Sequence, residues 1–218
     1  MLIHDYAAAR HLAARLELGV NHEACKQRIG QSIEQVFQDL CPPNDYSLTS
    51  TPSIADWEDM SVYYQKPSEQ NQALDKLARQ EGTVLTSWWL EQLHKTHYPL
   101  WERMTLFWHN HFTSSLKKVI WPQWMFKQHQ LIRKHALGNF AELLHAIAKD
   151  PAMLSYLDGS KNIASSPNEN FARELLELFT LGVGHYNEQD IVNVARAFSG
   201  WKLNPAKADS YLEHMNMI

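Results

Sequence analysis

The chain is poor in glycine, nearly free of cysteine, and has no long apolar run. Eight glycines in 218 residues favour helix over turn-rich β architecture. Two cysteines, Cys25 and Cys41, cannot build a zinc site alone, and their spacing matches no Cys-x-x-Cys pattern. They are either two free thiols or one disulfide in an exported chain. No stretch of about 20 apolar residues occurs, so no membrane span is expected. The start, Met1-Leu2-Ile3-His4-Asp5-Tyr6, lacks a basic patch and an apolar core. No signal peptide is readable there, which by itself points to the cytoplasm. The net charge of −4 comes without a basic stripe, which argues against a nucleic-acid partner. No glycine-rich phosphate loop, nucleophile elbow or Cys–His pair is visible, so no cofactor is indicated.

What is present is helical periodicity. Ala8, Leu12 and Leu16 recur at four-residue steps, and Gly19 follows. Asn21 is a plausible N-cap for a helix to about Leu40, with Ile29, Ile33, Val36 and Phe37 on one face. Residues 42–68 read as irregular, with a short helix around 56–64. A long helix is expected from Ser68 to about Thr96, with Gly82 a weak point. Further helices are expected at about 98–112, 121–137, 139–148, 151–157, 166–181 and 187–200. The expected fold is an all-α, irregular multi-helix single domain of about eight helices, spanning 1–218.

Two segments carry more polar groups than a core stripe needs. The first is Phe107-Trp108-His109-Asn110-His111-Phe112. On a helix, residues two apart diverge by about 200°. His109 and His111 therefore do not share a face, and the period puts His111 toward the core with Met104 and Trp108, and His109 outward with Glu102. The second segment is Ser166 to Gly182. Ser166, Pro167 and Glu169 read as a capping box, with Gly182 as C-cap glycine. Phe171, Leu175 and Leu178 centre its apolar stripe, and Glu174 lies about 60° from that centre. A carboxylate there needs a partner, for which Arg173, Arg196 and the 108–112 histidines are candidates. Glu169, Arg173 and Glu177 fall opposite, where i,i+4 pairs are the plain reading. Eight tryptophans, six of them between Trp88 and Trp124, are either an aromatic platform or the filling of a large helical core.

Phe107–Phe112, Pro167–Gly182 and Asn187–Trp201, together with Ala9-Arg10-His11-Leu12, resemble the bacterial family called domain of unknown function 1800. The residues carried over are Trp108, His109, Asn110, His111, Asn168, Glu169, Asn170, Arg173, Glu174, Glu177, Arg196 and Trp201. The resemblance implies no established reaction. It implies frequent export, a neighbouring protein resembling sulfatases and phosphatases, and a domain longer than this chain, which would leave Phe198, Trp201 and Leu203 exposed. The expectation is a binding or assembly module with a polar pocket. That pocket would draw on His109, Asn110, His111, Asn168, Asn170, Arg173, Glu174, Glu177 and Arg196. The rival is a metal-assisted hydrolase using His109 or His111 with Glu174.

Overall fold

The computed structural model describes residues 1–41, 50–55, 69–204 and 209–212. The expected helix at 56–64, and most of the irregular 42–68 stretch, lie outside the described residues. Eleven α-helices are present among those described: α1 (Tyr6–Leu16), α2 (His22–Gln27), α3 (Ile33–Leu40), α4 (Glu69–Lys95), α5 (Pro99–His111), α6 (Leu116–Val119), α7 (Pro122–His135), α8 (Phe140–Ile147), α9 (Pro151–Tyr156), α10 (Glu169–Glu174) and α11 (Glu188–Ala197). The fold is all-α, with more helices than the eight expected. The single helix expected up to Leu40 is two, separated by a turn in which Gly30 takes φ 88°, a left-handed value suited to glycine. After α11 comes a two-stranded antiparallel hairpin, β1 (Trp201–Asn204) with β2 (Asp209–Leu212), which periodicity did not indicate.

Local chemistry sets most helix starts. Asn21, Asn139 and Asp150 each accept a backbone N–H of the first turn, from Ala24, Ala141 and Met153 respectively. Asn187 and Asp190 form a reciprocal capping box for α11. Such caps satisfy donors that the helix itself leaves free. The expected box at Ser166 does not form. Asn168 is the N-cap of α10, accepting from Asn170 N–H at 3.0 Å, and Ser166 belongs to the preceding turn through Ser166 N–H to Ile163 O. The reason is tertiary: the Asn168 N–H is held by the buried Asn162 side chain, which fixes the chain outside helical geometry at 168 rather than 166.

The second departure lies within the same segment. Residues Leu175–Thr180 form a π-helical turn, and Leu181 N–H bonds Leu176 O, five residues back. A π turn holds one more residue than an α turn, so the inward face moves on by one. Phe179 is buried in place of Leu178, which is 60% exposed. The straight 100° wheel therefore fails beyond Leu175.

The core has two main bodies. One gathers Phe112, Ile132, Leu143, Ile147, Met153, Phe171, Leu175 and Phe179. The other, formed by α1–α3 against α5, includes Ala9, Ala13, Cys25, Val36 and Leu100. Cys25 and Cys41 are free thiols. Trp88, Trp121 and Trp124 are buried, in keeping with core filling. Trp101 and Trp108, half-buried on α5, donate indole N–H groups to Arg133 O (2.6 Å) and Ala136 O (2.9 Å). These carbonyls belong to the end of α7, where helical partners run out. Phe198, Trp201 and Leu203 are all half-buried. Phe198 meets Phe171 edge to face at 5.1 Å, and Leu203 packs on the Val119/Trp121/Trp124 cluster.

The interface of α5 with α7 also carries charge. Glu102 is 1% exposed and ion-paired with the buried Arg133, whose guanidinium lies 4.1 Å from the Trp101 ring centre. Truncating one member of such a pair strands a buried charge. Glu102→Ala is expected to destabilise by about 3–5 kcal/mol, while Glu102→Met combined with Arg133→Leu restores most of that loss. Urea unfolding of the three proteins measures it, and equal losses in the single and double variants would contradict the argument.

Candidate functional site

α5 presents Glu102, Thr105 and, one turn on, His109 toward α7 and α4. This reverses the expected outward placing of both His109 and Glu102, the latter 1% exposed. The reason is that α7 offers polar partners there: Arg133 for Glu102 and His129 for His109. His109 Nε2 lies 3.3 Å from His129 Nδ1, and the rings are stacked 5.4 Å apart. Two α4 indoles box the pair. Trp89 stands 4.6 Å from the His109 ring and 5.0 Å from that of His129, and Trp88 meets His129 edge to face at 5.4 Å. His129 is 3% exposed, whereas His109 is half-buried. Burial pushes the His109 imidazole down to about 4. His129 is also held well below its ordinary value, by burial first and then by His109 and Arg133.

The seam of buried polar groups continues along α7. Gln123 donates to Glu81 Oε2 of α4 at 2.9 Å and to Ala55 O at 2.8 Å. Gln128 donates to Asp150 Oδ2 at 2.8 Å, which also accepts Met153 N–H at 2.9 Å, and Ser114 Oγ bonds Gln128 Oε1. Gln123, Gln128, His129, Arg133, Glu81, Glu102 and Asp150 were not anticipated from sequence. A signal existed: on α7 the polar residues Gln128, His129 and Arg133 interleave with Trp124 and Ile132 on a single inward face.

The motif residues themselves go to separate places. His111 Nε2–H donates to Phe179 O at 3.0 Å, so the first motif segment caps the π turn of the second. Its ring lies near Phe107 (6.3 Å), Phe140 (6.4 Å) and Phe179 (6.1 Å). Asn110 is exposed. Asn168 Nδ2 donates to Asp158 O (3.1 Å) and Asn170 Nδ2 to Leu157 O (3.0 Å), so both asparagines tie the 157–162 loop to α10. Asn162, 1% exposed, joins that latch: its amide donates to Ala195 O (2.7 Å), its side-chain oxygen accepts Asn168 N–H, and its backbone oxygen accepts Gly200 N–H.

Arg173 pairs with Glu188 (2.9 Å) and Glu169 (3.3 Å), the second being the i,i+4 contact the sequence suggests. Glu169 is thus an ion-pair partner and not a cap. Tyr186 donates its hydroxyl to Glu177 at 2.7 Å. Arg196 is exposed. Glu174 is half-buried, and no hydrogen bond or ion pair reaches it among the described residues, so the expected burial beside a charged partner is not what the fold provides. Among the described residues no three His, Cys, Asp or Glu side chains gather as a metal cluster. A groove of about 750 Å³, lined by Asp75, Arg79, Thr83, Thr86, Leu116 and Lys117 among others, lies between α4 and α6, away from both motif segments.

Fold and site together define an all-α protein. A buried polar seam runs through its centre, and its two motif segments are joined at His111. The chain belongs to the family described as "Protein of unknown function (DUF1800)", whose family model matches residues 11–217. No curated protein and no solved structure matches the chain. Among the described residues no helix is long and apolar enough to cross a membrane.

Asp150 yields a pH test. Burial raises its carboxyl to about 7, against the opposing bonds from Met153 and Gln128. The folded value exceeds the unfolded value of about 3.9, so the folded state holds the proton more tightly. This contribution to stability is complete below about pH 4 and is lost as pH rises toward 7. His109, depressed to about 4, has the opposite sign and adds stability as pH rises from about 4 to 6.5. Asp150→Asn keeps both bonds if its amide oxygen takes the place of Oδ2. The melting temperature of Asp150→Asn minus that of wild type is expected to grow from pH 4 to a plateau near pH 8. A difference constant with pH would show that Asp150 does not titrate in this range.

Proposed function

We propose that the protein is a helical binding or assembly module that docks a protein partner where its two motif segments meet. One observation carries this reading. The large apolar side chains Phe107, Phe140 and Leu178 are turned to solvent; the rings of the first two lie 6.3 and 6.4 Å from that of His111, whose Nε2–H bonds the carbonyl of the residue after Leu178. The same polar contact that joins the segments thus stands inside an apolar rim. Contiguous exposed apolar patches mark interaction surfaces, and aromatic anchors dominate their binding energy. The π turn matters here, because it is what turns Leu178 outward. The family resemblance supplies the partner class, a hydrolase resembling sulfatases or phosphatases. The rival reading, a metal-assisted hydrolase using His109 or His111 with Glu174, has less support: the two histidines engage different groups, and among the described residues no hydrogen bond or ion pair reaches Glu174.

Mixing the chain with a sulfatase-like protein of the class that the family resemblance implies is expected to give a stoichiometric complex by light scattering. Phe107→Asp and Leu178→Asp, both at exposed positions, should weaken that complex by at least about tenfold without lowering the melting temperature by more than a few degrees. No complex at tens of micromolar, or a complex indifferent to both variants, would rule the reading out.

A further inference from the structure

We propose that His109 and His129 form a binding site for a first-row divalent transition-metal ion of the Zn²⁺, Ni²⁺ or Cu²⁺ class. Two nitrogens bound to one tetrahedral ion at about 2.0–2.1 Å each lie about 3.3–3.4 Å apart. His109 Nε2 and His129 Nδ1 are 3.3 Å apart. That spacing is long for a hydrogen bond between rings, where 2.7–3.2 Å is usual, and it matches the bite of a single ion.

The alternative, a shared proton, leaves groups unserved. Among the described residues His129 Nε2 is buried without a hydrogen-bond partner. If Nδ1 donates, Nε2 is a stranded acceptor; if Nδ1 accepts, Nε2 is an N–H with only the indole rings beside it. With a cation on Nδ1 the tautomer is fixed, and Nε2 carries hydrogen. Both indoles meet this imidazole edge to face, the arrangement in which an N–H finds a π acceptor. Trp89 Nε1 is a second buried donor without a hydrogen-bond partner among the described residues. A water or hydroxide on the ion supplies an acceptor of the kind it lacks.

The class of ion follows from the donors. Both are imidazole nitrogens, which suit zinc, nickel and copper, whereas calcium and magnesium require oxygen ligands. Among the described residues no third His, Cys, Asp or Glu completes a cluster. The remaining positions therefore belong to water or to an added ligand, as in an open rather than a closed site. Binding needs neutral rings, and burial already keeps both uncharged at neutral pH. The half-exposed His109 gives the ion its approach.

The test is calorimetric titration of the chelator-treated full chain with ZnCl₂, NiCl₂, CuCl₂ and MgCl₂. Uptake of one transition ion per chain and none of Mg²⁺ is expected, with Cu²⁺ the tightest. The Cu²⁺ form should show two nitrogen couplings by electron spin resonance and quenching of tryptophan fluorescence from Trp88 and Trp89. His109→Gln and His129→Gln should each weaken binding by at least tenfold, and His145→Gln, at an exposed position, should leave it unchanged. If the buried His129→Gln fails to fold, the half-exposed His109→Gln decides the matter alone. Absence of one-to-one uptake, or uptake indifferent to His109→Gln, overturns the proposal. Neither result bears on the docking surface at Phe107 and Leu178, which is read out by complex formation.

Discussion

The arrangement of this molecule depends on one buried ion pair. Glu102 of α5 and Arg133 of α7 sit where water is excluded, with the guanidinium against the Trp101 ring. Burial raises the Glu102 carboxyl, and Arg133 acts against that rise. A pair of this kind adds little over a well-packed apolar contact, but it cannot be half kept. Its effect is directional. Once Glu102 must face α7, the rotation of α5 is settled: His109 is carried to His129, and His111 to the opposite side, against the π turn. The two histidines of one motif thus serve two different interfaces because a residue two turns earlier is charged and buried.

Helix positions and caps were readable because their chemistry is local. Asn21, Asn139, Asp150 and the Asn187/Asp190 box need only their own neighbours to act, and each does so. The cap of α10 was misplaced because Asn168 is selected by a residue six positions back, Asn162, whose burial no periodicity reveals. The inward turn of His109 was missed for a related reason. A helical wheel ranks polar residues as outward, and it cannot know that another helix brings Arg133 and His129 to meet them. The π turn has no propensity signature either, so Leu178 and Phe179 exchanged roles unseen. Of the candidate residues, the Arg173–Glu169 pair was legible from spacing alone. The roles of Asn168, Asn170 and His111 were not, since each acts on a backbone carbonyl far away in sequence.

Most of the family-motif residues therefore act as construction. Asn168 and Asn170 anchor a loop, Arg173 ties α10 to α11 through Glu188, and His111 closes the π turn. A motif dense in polar groups need not be an active site; here much of it satisfies carbonyls that irregular backbone leaves open. What the construction delivers is placement: a histidine pair sheltered by two indoles on one side of α5, and an apolar rim around His111 on the other.

The asparagine at position 162 has a consequence for how the chain assembles. Its three bonds reach the end of α11, the start of α10 and the glycine before β1. None of these contacts is complete until the loop, both helices and the hairpin strand are in place together. Protection against backbone hydrogen exchange across residues 158–204 should then be gained and lost as one block, because no member of that group is fully bonded without the others. A single uncharged asparagine, invisible to any hydrophobic pattern, thus ties residues 158–204 into one cooperative unit and not a string of separately docking helices.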